Sequence, residues 1–219
     1  MKPRLIIFDM DGLMFDTERI YFRAWSKIMD KYQYQFDFEV YKKLMARNST
    51  AMERILKDIY GDDFPFDKIN AERRQEGENI IHNEGIPHKQ GLIELLDYLE
   101  ESDILKVVAT SSMREKALRY LDKAGVLNRF TSIVCGSDIK ESKPNPEIFE
   151  KAAQLFNVDK SDCIVLEDSP NGIRAAFAAD MRCIFVPDLV QSDEEIRNKI
   201  TIEISDLNKV KEYIRNLNE

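Results

Sequence analysis

Five short apolar runs constrain this chain more than any other feature: LIIF at 5–8, KVVAT at 106–110, SIVCG at 132–136, CIVLE at 163–167 and CIFVP at 183–187. Each has the length of a strand and is apolar at consecutive positions, as a strand covered on both faces reads. Around the last four, apolar residues recur at helical spacing, which predicts helices over about 92–101, 114–124, 146–156 and 171–179. Short apolar strands alternating with amphipathic helices make a parallel sheet covered on both faces. Ligands of such sheets sit outside the carboxyl ends of the strands. The tail, 189–219, reads as a helix, a short strand (ITIEI, 200–204) and a final helix.

Between the first two strands the texture changes. Apolar and aromatic residues recur at helical spacing (Ile20, Ala24, Trp25, Ile28, Met29, then Ile55, Leu56, Ile59) with no strand-like run among them. The segment GIPHKQG at 85–91 carries two glycines and a proline and reads as a return linker. The expected architecture is a Rossmann-like α/β core made of 1–16 and 86–219, with an all-helical cap inserted at 17–85. Tyr21 and Trp25 read as core of that cap, and Arg73 and Arg74 as solvent-facing.

The balance of charge narrows the partners. The 219 residues carry a formal net charge of −8 and no block of Lys and Arg, which argues against nucleic acid. A small phosphorylated ligand stays open, because a bound divalent cation inverts the local field. Cys135, Cys163 and Cys183 fit no zinc spacing and read as buried thiols. The longest apolar runs are too short for a membrane span or a signal-peptide core. A cytoplasmic protein without membrane partners, monomeric or weakly dimeric, is expected.

Four motifs fall at the carboxyl ends of predicted strands. In DMDGLMFDTE at 9–18, Asp9 and Asp11 would face one crevice and repel unless a cation sat between them. An ionised aspartate can attack phosphorus unaided, and a second carboxyl two residues on can hand a proton to the leaving alkoxide. By itself the motif could equally be an acidic turn, although the further ligands of a calcium loop are missing downstream. In VVATSS at 107–112, Thr110 and Ser111 offer hydroxyl and backbone donors to phosphate oxygens, or Ser111 and Ser112 cap the next helix. In SKPNPE at 142–147, Lys143 is either a counter-charge for a phosphate or an ordinary surface lysine. In IVLEDSPNG at 164–172, Glu167 and Asp168 form a second acidic pair, and hard oxygen ligands suit magnesium.

In this order, Asp-x-Asp, Thr/Ser, Lys and Glu-Asp, the four motifs resemble the haloacid dehalogenase superfamily over nearly the whole chain. The helical insertion after the first motif is similar to the subgroup that holds β-phosphoglucomutase and phosphoglycolate phosphatase. The resemblance implies Asp9 as nucleophile, Asp11 as general acid and base, and Thr110 and Lys143 on the transferring phosphoryl group. It implies Mg2+ held by Asp9, Asp168 and the main-chain carbonyl of Asp11, with Glu167 assisting. The implied activity is hydrolysis of small phosphorylated metabolites, such as sugar phosphates, through a phospho-aspartate.

A hexose-phosphate mutase is the alternative, and a non-catalytic phospho-ligand-binding protein a more distant one. Two departures weaken the mutase reading. Tyr21 stands where β-phosphoglucomutase has a histidine, and Arg47, the candidate for a distal phosphate, does not align cleanly. A receiver module of the phosphorelay type shares the residue types but places its phospho-acceptor on a middle strand and has no helical insert. His82 and His88 lack suggested partners and read as bystanders.

Overall fold

The computed structural model describes residues 2–45, 47–189 and 191–218. Contacts divide the chain into two compact units, Met1–Asp16 with Ile86–Glu219, and Thr17–Gly85.

The first unit contains a six-stranded parallel sheet: β1 (Leu5–Phe8), β2 (Leu105–Thr110), β3 (Ser132–Cys135), β4 (Cys163–Glu167), β5 (Arg182–Phe185) and β6 (Ile202–Glu203). Their spatial order is β3-β2-β1-β4-β5-β6. The first strand of the chain therefore lies in the middle, where the winding reverses, and this is where open α/β sheets place their ligands. Register carries the point further. Phe8 pairs with Val108 on one side and Leu166 on the other, so Asp9 emerges level with the ends of β2 and β4.

Alternation across the sheet supplies the core. Leu5 and Ile7 join Val107, Ala109, Cys163 and Val165 in one fully buried cluster with Ile148, Phe149 and Ala152 of the helix Glu147–Leu155 and Ile173 and Ala176 of the helix Pro170–Ala178. Ile6 and Phe8, equally buried, point to the opposite face. There Phe8 meets Phe130 edge to face, with ring centroids 5.5 Å apart. The helices Leu92–Glu101 and Leu207–Asn218 pack on each other. All three cysteines are free and buried. The predicted strand at 200–204 shrinks to two exposed residues, because a run flanked by polar positions at a sheet edge has little apolar surface to bury.

The second unit is helical, as its texture predicts: α1 (Thr17–Lys31), α2 (Phe38–Leu44), α3 (Ser49–Tyr60) and α4 (Phe66–Glu84). α1 packs along α4. Arg23, Lys27 and Lys31 meet Glu84, Glu76 and Glu72 in turn, at 2.7 Å each. Steps forward on one helix matched by steps back on the other define an antiparallel pair. These exposed pairs contribute little energy each, about 0–1 kcal/mol, so they specify register more than stability. Trp25 is buried, as expected. Arg73 is a correction: it is half-buried, with its guanidinium 5.1 Å from the Trp25 ring centroid and Nε donating to Asn70 Oδ1 at 3.0 Å. Spacing placed it on the outer face, but a long side chain can lay its stem and planar head over an aromatic neighbour. Among the described residues no helix is long and apolar enough to cross a membrane.

Candidate active site

Asp9 follows the central strand and is almost wholly buried, with its backbone N–H donating to Leu166 O at 3.1 Å. The loop behind it is anchored by Leu13, Met14 and Phe15, all fully buried. Lys143 arrives from the loop after β3 with its side chain largely buried, which is not how an ordinary surface lysine sits. Its Nζ lies 2.5 Å from Asp9 Oδ1, 2.6 Å from Glu167 Oε1 and 3.3 Å from the Ala109 carbonyl. One cation thus serves two carboxylates that have left water.

The electrostatics follow from that imbalance. Burial pushes Asp9 up to about 7; Lys143 opposes the rise, and Glu167 and Asp11 add to it. Lys143 is held above the usual lysine range: burial alone would lower it, but the charges of Asp9 and Glu167 and its bonds to them outweigh burial. The buried trio carries an excess negative charge when both carboxylates are ionised. A cation or a proton must settle it.

Glu167 is engaged by protein donors on both oxygens. Oε1 takes Lys143, while Oε2 accepts from Asp168 N at 2.9 Å, Ser169 N at 2.8 Å and Ser169 Oγ at 2.9 Å. Ser169 in turn caps the helix Pro170–Ala178 by accepting from Gly172 N. Fully engaged by protein donors, Glu167 anchors Lys143 and shapes the turn that presents Asp168. A Cβ on Gly172 would lie 1.7 Å from Glu167 Oε1. Gly172→Ala must therefore displace Glu167, and we expect a loss of about 1–3 kcal/mol of stability together with activity. A thermal midpoint unchanged from wild type would contradict the packing described.

Asp168 lies against the first motif. A Cβ on Gly12, whose φ is +89°, would fall 2.1 Å from Asp168 Oδ2, so only glycine lets the carboxylate approach the Asp11–Gly12 peptide. The buried Asp9, the half-buried Asp168 and a backbone carbonyl are hard oxygen donors of the kind magnesium accepts. Among the described residues no three acidic, histidine or cysteine side chains converge as a metal cluster. Magnesium suits such a site, since it usually keeps waters and takes one or two carboxylates. The donor set fits.

On the β2 side, Thr110 is buried and its Oγ1 accepts from Ser112 N at 3.0 Å. Ser111 is exposed. Neither serine caps the next helix, Arg114–Lys123, whose N-cap position is Met113 and has no side-chain cap bond. Ser112 Oγ donates instead to Asp11 Oδ2 at 2.8 Å. Lys116, a residue that sequence reading passed over, reaches Asp11 as well. Arg47 belongs to the helical unit, exposed just beyond α2, with its N–H donating to Leu44 O. His88 contacts Ala124 O at 2.9 Å and the Phe15 ring, a structural employment for the linker.

The chain is similar to known proteins. A probable pseudouridine-5′-phosphatase of Drosophila melanogaster is 34% identical over 195 residues, spanning 86% of this chain and 84% of that protein. A fructose-1-phosphate phosphatase of Escherichia coli is 29% identical over 189 residues, 83% of this chain and 95% of its own. The fold matches that of a candidate β-phosphoglucomutase from Thermotoga maritima, with a TM-score of 0.83 and 22% identity over 99% of this chain and all of the other. Residues 6–186 match the haloacid dehalogenase-like hydrolases, and the chain belongs to that family.

Proposed function

We propose that this phosphomonoester hydrolase cleaves small phosphorylated metabolites, sugar phosphates among them, by way of a phosphoryl group carried on Asp9. The observation that carries the reading is the buried Asp9–Lys143–Glu167 cluster at the switch point of the sheet. A nucleophilic carboxylate, a cation for the transferring group and a second acidic side chain, Asp11, lie at one strand end. Asp9 attacks phosphorus, and Asp11 gives a proton to the departing alkoxide. Asp11 then takes a proton from the water that releases phosphate. Lys143 and the donors around Thr110 and Ser111 offset charge on the phosphoryl oxygens.

Asp9, Asp168 and the carbonyl of Asp11 would hold Mg2+, which when bound supplies charge neutralisation for the phosphoryl oxygens and for the buried acidic excess. Arg47, in the helical unit, is the proposed contact for the remainder of the substrate. The relatives named as sugar-phosphate and nucleoside-phosphate phosphatases support hydrolysis. Tyr21, in the place of the mutase histidine, points the same way.

Removing metal tests this directly. Wild-type enzyme in EDTA should fall to background, and magnesium should restore it. Asp168→Ala should need at least about tenfold more magnesium for partial recovery. Calcium should bind but support little turnover, because its looser coordination misplaces the reacting groups. Full activity in EDTA would refute the metal assignment.

A further inference from the structure

Lys116 is an odd residue for its position. It stands third in the helix Arg114–Lys123, in the first turn, where the helix dipole disfavours a cation. Its compensation comes from elsewhere in the chain. Nζ lies 3.3 Å from Asp11 Oδ1 and 3.2 Å from Asp11 Oδ2, straddling the carboxylate, and 3.0 Å from Ser112 Oγ. Ser112 donates its own hydroxyl to Asp11 Oδ2 at 2.8 Å. Below, Nζ is 4.9 Å from the ring centroid of Tyr120, one turn along the same helix and buried. The ring restricts the lysine, and the lysine and serine restrict Asp11.

We infer that Lys116, together with Ser112, is a positioning residue that fixes the direction of the Asp11 carboxylate, the lysine spanning both oxygens and the serine holding Oδ2. The inference rests on the reading of Asp11 as general acid and base, and names what aims it. Ser112 reaches Oδ2 at 2.8 Å, and Lys116 reaches Oδ2 at 3.2 Å and Oδ1 at 3.3 Å. A carboxyl held by two donors keeps a fixed direction, and proton transfer in a transition state depends on that direction.

Leaving groups separate this role from a structural one. A glycerol 2-phosphate alkoxide departs only with a proton, whereas 4-nitrophenolate departs readily without one. Lys116→Met keeps the apolar stem over Tyr120 and removes the charge. Its kcat/KM should fall about 10- to 100-fold further for glycerol 2-phosphate than for 4-nitrophenyl phosphate. Lys116→Arg should recover most of that difference, and Ser112→Ala should show a smaller loss in the same direction. The thermal midpoints should stay near wild type.

Equal losses on the two esters for both Lys116→Met and Ser112→Ala, or no loss, would overturn the inference. Should Lys116→Met fail to fold, the ester ratio of Ser112→Ala decides alone. Asp11→Asn is the control for the underlying reading. If it too leaves the ester ratio at the wild-type value, Asp11 is not the acid and the inference falls with it. If Asp11→Asn shifts the ratio while the Lys116 and Ser112 variants do not, the acid assignment stands and only the clamp is wrong.

Discussion

Asp9→Asn should abolish turnover, by at least about 10³-fold, while the fold stays intact. The substitution conserves volume and removes the carboxylate proposed to take the phosphoryl group. Rapid-quench labelling with a ³²P-ester should mark wild-type protein and leave the variant unlabelled; labelling of Asp9→Asn would defeat the phospho-aspartate route. Stability should move the other way. With Asp9 raised to about 7 in the fold against 3.8 as its ordinary value, the native state binds more protons than the unfolded chain between those limits. Stability therefore falls as pH rises from about 4 to 7, and the ionised group costs up to roughly 4 kcal/mol at pH 8. The metal-free variant should escape that cost in part, since Lys143 retains only Glu167. Its thermal midpoint should exceed that of the metal-free wild type at pH 8, and the gap should close towards pH 4. A gap that widened on acidification would show that burial of Asp9 is not the governing effect.

The second large effect is at Lys143. Lys143→Met removes the cation shared by Asp9 and Glu167 and leaves two carboxylates buried together. Breaking a buried pair in this way typically costs about 3–5 kcal/mol. Because the uncompensated charges are acidic, the loss should be greatest at pH 8 and should shrink as Asp9 takes up a proton at lower pH. Catalysis should fall about 10²–10³-fold in kcat/KM and by a similar factor for every ester, since the proposed role of the lysine is on the phosphoryl group and not the leaving group. This uniformity sets it apart from Lys116, whose effect should depend on the leaving group. If Lys143→Met discriminated among esters as Lys116→Met does, the division of labour between the two lysines would be wrong.

Several features of this protein are determined by the sequence alone. Strands covered on both faces need apolar residues at every position, and LIIF, KVVAT, SIVCG, CIVLE and CIFVP announce them without reference to anything distant. The change to helical periodicity after Thr17 is likewise local, as is the order in which acidic, hydroxyl and basic residues follow the strands. Side-chain partners across the sheet were settled only by tertiary structure. Lys143 looks like any lysine before a proline until parallel pairing of β1 with β2 and β4 brings Asp9 and Glu167 to either side of it. The donors that hold Glu167, Ser169 and two backbone N–H groups, come from the turn into the next helix, which the spacing does not reveal. Arg73 reads as solvent-facing until α1 lays Trp25 beneath it. Ser112 and Lys116 stand 101 and 105 residues from Asp11, and no periodicity encodes that meeting. Hydrophobic pattern is written along the chain because burial is a property of each residue's own surface. Charge pairing depends on two residues and the path between them, and only the folded sheet fixes that path.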